Sequence, residues 1–134
     1  MKNYINDFYL LWNTIEKLIR EYKEPVTKIR AIKWLERNGF AEESKRILQY
    51  TNFCPCCALA EECSRYIKKR DYCQFCFIWD DKEPCFSDGQ LYDYWSLSFS
   101  WEEAAFYAHE ISKMKPRPEI IKLIKEIEDS SLKA

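Results

Sequence analysis

The chain has 134 residues and a mass of 16.3 kDa, the length of one domain, with 21 basic and 22 acidic side chains and a net charge of −1. Hydrophobic residues at 47% and aromatics at 16% are enough to bury a core, which excludes a disordered chain. Two glycines and one histidine exclude more: Gly39 and Gly89 stand far apart and build no phosphate-cradling loop, while His109 makes no HExxH site and has no recognisable Ser-His-Asp or Cys-His-Asn set around it.

The N-terminal segment carries Ile5, Phe8, Trp12, Ile15, Ile19 and Tyr22 at spacings of three and four, which predicts an amphipathic helix over Asn3 to Tyr22. Leu11 and Leu18 widen the stripe, so it faces a core. Asp7, Asn13 and Glu16 interrupt any signal-peptide core, and no apolar run is long enough to span a membrane. A cytoplasmic protein is expected. Pro25 breaks the pattern, and a second helix is predicted over Val26 to Asn38 with Ile29, Ile32 and Leu35 inward and Asn38-Gly39 as its C-cap. A third, over Ala41 to Gln49, is expected to bury Ile47 and Leu48, with Phe40 packed at its start. The short gaps favour an antiparallel helical hairpin or three-helix packing.

All seven cysteines, Cys54, Cys56, Cys57, Cys63, Cys73, Cys76 and Cys85, then fall within 32 residues. A disulfide scaffold spreads its bridges and follows a secretory signal, whereas clustered cysteines in a cytosolic chain bind metal. Cys54 and Cys57 form one C-x2-C pair and Cys73 and Cys76 a second, with 15 residues between the pairs, a zinc spacing. Each pair lets a tight turn aim two thiolates at one ion, and two turns complete a closed tetrahedron, hence a structural Zn²⁺. Cys54, Cys57, Cys73 and Cys76 are the expected ligands, with Cys85 as the replacement for Cys73 or Cys76. Cys56 is expected to point away from the ion, packed or exposed. Cys63 is expected on the inner face of a short helix over Ala58 to Tyr66. The rest of Phe53 to Phe86 reads as loop.

Ten of the 22 aromatic residues lie between Tyr72 and Trp101, which predicts an aromatic mini-core around the metal. Ser100-Trp101-Glu102-Glu103 fits a capping box. The helix it opens has Trp101, Ala104, Ala105, Ala108 and Ile111 on one face and ends near Lys113, Lys115 and Pro116. Pro118 suits the first turn of a last helix with Ile120, Ile121, Ile124 and Ile127 inward, fraying from Ser130. The expected fold is mainly α with little or no β-sheet: one compact unit over 1–134, with N-terminal helices (1–50), an inserted loop-rich zinc knuckle and aromatic segment (51–99) and C-terminal helices (100–134).

Phe53, Cys54, Cys57, Cys73, Cys76 and Cys85, then Tyr94 and Trp95, then Ala104 and Ala105 carry a resemblance. Over about residues 26–114 the chain resembles small uncharacterised zinc-knuckle proteins of bacteriophages and prophages of Gram-positive hosts. Phe77 stands where knuckles of this kind usually have Pro. The resemblance implies an accessory protein in an infected bacterial cytoplasm, and no reaction.

Two binding readings remain, and both make the protein a non-enzyme with no evident small-molecule substrate. Arg65, Lys68, Lys69 and Arg70, with Lys28, Arg30, Lys33 and Arg37 on the second helix, are the nucleic-acid candidates of a zinc-finger regulator. The charge distribution opposes this: residues 1–50 hold 10 basic and 7 acidic side chains, but residues 51–100 hold 5 and 8. The plainer reading of the basic run is a solvated helix face. The favoured reading is binding to a host protein, with a counter-defence inhibitor as one form. Its candidates are the aromatic Tyr92, Tyr94 and Trp95 and the acidic Asp80 and Asp81, with Phe99 and Trp101 adding to a surplus too large for the core. A thiol redox role for a C-x2-C pair is a further alternative.

Overall fold

The computed structural model describes residues 2–67, 76–78, 85 and 90–133. Among these there are seven α-helices, one 3-10 turn and no strand, so the fold is mainly α. The helices are α1 (Lys2–Tyr22), α2 (Lys28–Arg37), α3 (Ala41–Gln49), α4 (Pro55–Ile67), α5 (Leu91–Ser96), α6 (Trp101–Ser112) and α7 (Pro118–Lys133).

Helix α1 is the axis of the packing. Phe8, Leu11, Trp12, Ile15, Leu18 and Ile19 are all buried, and α2, α4 and α6 pack against the helix. Burying a side chain of this size contributes about 1.5–3 kcal/mol, so a stripe this wide needs several neighbours. Tyr22, at the end of the stripe, is exposed. Ala104, Ala105 and Ala108 form the inner face of α6 with Ile111, and their small side chains let α6 lie close along α1.

Caps fix the helix limits. The Thr27 hydroxyl accepts the Arg30 N–H at 3.2 Å, so α2 starts two residues later than the hydrophobic pattern alone indicates. At its other end the Phe40 N–H reaches back to the Leu35 carbonyl at 2.9 Å around Gly39, whose φ of +93° suits glycine. The Ser100 hydroxyl likewise accepts the Glu103 N–H at 3.2 Å and starts α6. Helix α7 begins at Pro118 as expected, buries Ile120, Ile124 and Ile127, packs on α4, and runs past Ser130 to Lys133.

Helix α3 has the predicted limits but buries only one of its two expected apolar residues. Ile47 is fully buried, while Leu48, a further 100° around the helix, is 42% exposed. Ser44 turns inward instead and donates to the Ile32 carbonyl of α2 at 3.0 Å. Across to α1, Arg46 pairs in a bidentate manner with the Asp7 carboxylate at 3.0 and 3.1 Å, and the Tyr50 hydroxyl donates to the same carboxylate at 2.7 Å. Asp7 is 1% exposed, so its charge depends on these donors. The Tyr50 hydroxyl is raised above the ordinary tyrosine range by burial and by this bond to Asp7.

Removing the cation leaves the buried carboxylate without its charge partner. Arg46→Met is therefore expected to cost about 2–3 kcal/mol, below the usual cost of breaking a fully buried pair because Arg46 is partly exposed. Glu24→Gln, which touches only the exposed Arg30–Glu24 pair, should fall within about 0.5 kcal/mol of the parent in urea unfolding. Equal losses for the two variants would contradict this account.

Candidate functional site

Helix α3 ends at Gln49, and the chain makes a 3-10 turn over Thr51–Phe53. Asn52 and Phe53 have φ values of 57° and 50°, a left-handed backbone that non-glycine residues seldom adopt. This turn delivers Cys54 to the head of α4, where its carbonyl accepts the Ala58 N–H at 3.1 Å. Pro55 opens the helix, a position where its missing N–H costs nothing. The helix therefore starts three residues before the expected Ala58. Cys56 and Cys57 lie in its first turn.

The sulfurs form a connected group. The Cys56 and Cys57 thiols hydrogen-bond to Cys54 and hold it well below the usual cysteine range, against the desolvation of its site and with help from the Lys28 cation. Cys56 is buried, and burial followed by contacts with Cys54 and Cys76 pushes its thiol well up. It belongs to the group rather than pointing away from it. The bond to Cys54, then burial, raises Cys57, which also senses Cys85 and accepts from Asn52 Nδ2 at 3.9 Å. Burial alone would lower the Lys28 ammonium, but Cys54, Tyr92 and Cys57 outweigh it and raise it. Lys28 Nζ donates to the Asn52 carbonyl at 3.3 Å and lies 4.6 Å from the Tyr92 ring centroid. A cavity of about 540 Å³ opens here, lined by Lys28, Cys54, Cys57, Cys85, Tyr92 and Trp95 among others.

Cys76 is held from the far end of the chain. Arg117, just before α7, donates from Nη1 to the Cys76 carbonyl at 2.8 Å and from its backbone N–H to the Phe77 carbonyl at 2.7 Å. Phe77 is fully buried, edge-on to Phe8 of α1 at 5.4 Å. Trp95 and Tyr92 of α5 pack edge-on to Trp12 of α1 at 4.9 and 6.1 Å. Phe77, Tyr92, Trp95 and Trp101 thus join the main core instead of forming a mini-core of their own.

Of the expected ligands, Cys54, Cys57 and Cys76 join this group and Cys85 flanks it, while Cys73 lies outside the described residues. Every described cysteine is free of disulfide. Among the described residues no three His, Cys, Asp or Glu side chains form a group able to hold a metal ion. Cys63 is fully buried on α4, and burial raises its thiol to about 11. Arg65 is exposed, whereas Lys68, Lys69, Arg70, Asp80 and Asp81 lie outside the described residues. Lys28, counted by sequence in a basic helix face, turns toward the sulfurs, and Arg30 pairs with Glu24. His109 contacts Glu16 through Nδ1 at 3.0 Å.

Around the other side of α5, Tyr94 is 45% exposed and stacks on Tyr107 at 5.3 Å, and Phe106 contacts Tyr107 edge-on at 5.2 Å. Leu97 and Phe99, in the connector between α5 and α6, are 65% and 100% exposed. No family model, curated protein or solved structure matches the chain.

Sequence reasoning missed Arg117, Asn52 and the role of Lys28, because none of them carries a spacing signal. Arg117→Met should loosen the segment 76–78 while leaving α2 and α3 intact. Hydrogen exchange of the amides at residues 76–78 is expected to rise about tenfold or more, with the α2–α3 amides unchanged. Unchanged exchange at residues 76–78 would remove Arg117 from this role.

Proposed function

We propose that the chain is a non-enzymatic, zinc-stapled accessory protein of phage type that acts in a bacterial cytoplasm by binding a host protein. Inhibition of an immune nuclease or of its assembly is one concrete form. The observation that carries the binding reading is Phe99, wholly exposed with Leu97 in the α5–α6 connector, while Tyr94 and Phe106, both in contact with Tyr107, are exposed on the two helices it joins. Large apolar side chains gathered at one surface cost solubility and are the usual anchors of a protein interface. Arg30, engaged with Glu24, and Lys28, turned toward the sulfurs, weaken the competing nucleic-acid reading.

Four of Cys54, Cys57, Cys73, Cys76 and Cys85 would hold the zinc. The support is chemical. Thiols are grouped at a helix N-terminus, without disulfides among those described, and the Lys28 ammonium beside them offsets excess negative charge. A shell of four thiolates leaves no open coordination position, so the bound ion supplies a cross-link and not catalysis. Cys63, buried on the inner face of α4, is not needed for it.

Metal analysis is expected to find about one zinc per chain, retained in Cys63→Ser and lost in Cys54→Ser. Chelation should expose α4 to protease first while α2 and α3 persist. Equal helicity and protease resistance with and without chelator would sink the zinc assignment.

Capture of a partner from nuclease-treated host lysate is the test of the binding reading. A partner retained by the parent and lost with Tyr94→Ala is the expected result, since Tyr94 is exposed and its removal spares the core. Loss of the partner on nuclease treatment, with salt-sensitive binding of generic DNA or RNA in its place, would overturn it.

A further inference from the structure

The exposed aromatic surface has a charge environment that identifies the class of its partner, an inference that rests on the protein-binding reading above. The 30 residues from Glu83 to Ser112 contain six carboxylates and no Lys or Arg. Four of these carboxylates lie on α5 and α6. Asp93 adjoins Tyr94, and Glu102 precedes Phe106 by four residues. Glu103, Phe106 and Glu110 follow one another at spacings of three and four, so Phe106 stands among carboxylates on one side of α6, with Lys113 only at the end of that row. Glu102 and Glu103 also favour the N-terminal turn of α6, which accounts for two of the four. None of Asp93, Glu102, Glu103 and Glu110 forms an ion pair among the described residues.

We propose that the α5–α6 face, with Tyr94, Leu97, Phe99 and Phe106 as apolar anchors, is a docking site for a basic amphipathic segment of a partner protein. Apolar side chains of that segment cover the aromatic group while its Lys and Arg side chains meet the carboxylate rim, the usual division between an interface core and its edge. The same charge opposes the other occupants. Phosphates of a nucleic acid and anionic lipid headgroups meet uncompensated carboxylates here. An acidic protein surface is repelled in the same way. A second copy of this chain, whose residues 1–50 carry net +3, is the rival occupant.

The probe is an 18-residue helical peptide with Leu on one face and Lys and Arg on the other, compared with the same peptide carrying Glu at the basic positions. Titrated against the full chain at physiological salt, the basic peptide is expected to bind at least tenfold more tightly than its acidic counterpart. Phe99→Ser combined with Phe106→Ser should weaken that binding tenfold or more with the circular dichroism unchanged, because both residues are exposed. Glu103→Gln with Glu110→Gln should weaken it severalfold, and Leu48→Ser, on α3, should not affect it. No binding, equal binding of the two peptides, or full binding by the Phe99→Ser/Phe106→Ser protein each overturns the proposal. So does a dimer in sedimentation that the same double variant dissolves. Lysate capture separates this inference from the broader reading: a partner still held by the double variant refutes this surface and leaves protein binding standing, whereas a parent chain that captures nothing refutes the broader reading and leaves the peptide result to judge the surface.

Discussion

Trp12 is the residue through which helix α5 is held beside the cysteine group. Its indole is buried in the face of α1, receives Trp95 and Tyr92 edge-on from α5, and forms part of the wall beside the cysteine group. An aromatic side chain of this size buries a large area and packs with defined ring geometry, so it orients its neighbours as well as attracting them. Helix α5 is only six residues long and its Gln90 N-cap makes no side-chain capping bond. A helix so short has little stability of its own, and packing against Trp12 and α6 is what keeps it helical. The exposed aromatic face on its outer side depends on that packing.

Electrostatics on the opposite side of α1 follows a similar rule. A buried carboxylate is admitted to the core because Arg46 and Tyr50 satisfy it, and this joins α1 to the end of α3 beside the Tyr4–Tyr50 ring contact at 5.3 Å. Near the sulfurs the order is reversed. There an ammonium is drawn in by thiols, a carbonyl and an aromatic ring. Lys28 and Arg46 are both cations on the basic half of the chain, yet each is committed to an internal partner. The net charge of +3 over residues 1–50 therefore overstates the free positive surface of that half.

Most of the helical architecture was legible in the sequence because it rests on periodicity and caps. Helices α1, α2, α3, α6 and α7 follow from apolar spacing together with Gly39, Ser100 and Pro118. Leu48 differs from expectation because the covered stripe of α3 is narrow and is filled by Ser44 and Ile47, three residues apart. The head of α4 was read as a turn because Pro55 signals both a loop and a first helical turn, and only the chain before it decides between them. Helix α5 escaped notice since six residues give no period to detect. The cysteine positions were evident from spacing, but the way Cys56 joins Cys54 and Cys76, and the hold of Arg117 on Cys76, arise from contacts between residues distant in sequence, which no local pattern records.

The pairing of α1 with α6 has a consequence for biosynthesis. A helix made early finds its alanine-lined partner only after roughly 90 further residues have been joined, and Cys76 meets Arg117 some 40 residues after it is made. Local closure is available to consecutive pairs: α1 with α2, α2 with α3 through the Ser44–Ile32 bond, and α5 with α6 through the Tyr94–Tyr107 stack. A chain leaving the ribosome N-terminus first therefore carries the α6-facing part of the α1 stripe uncovered, and the Cys76 carbonyl unheld by Arg117, until residues 101–117 have been made.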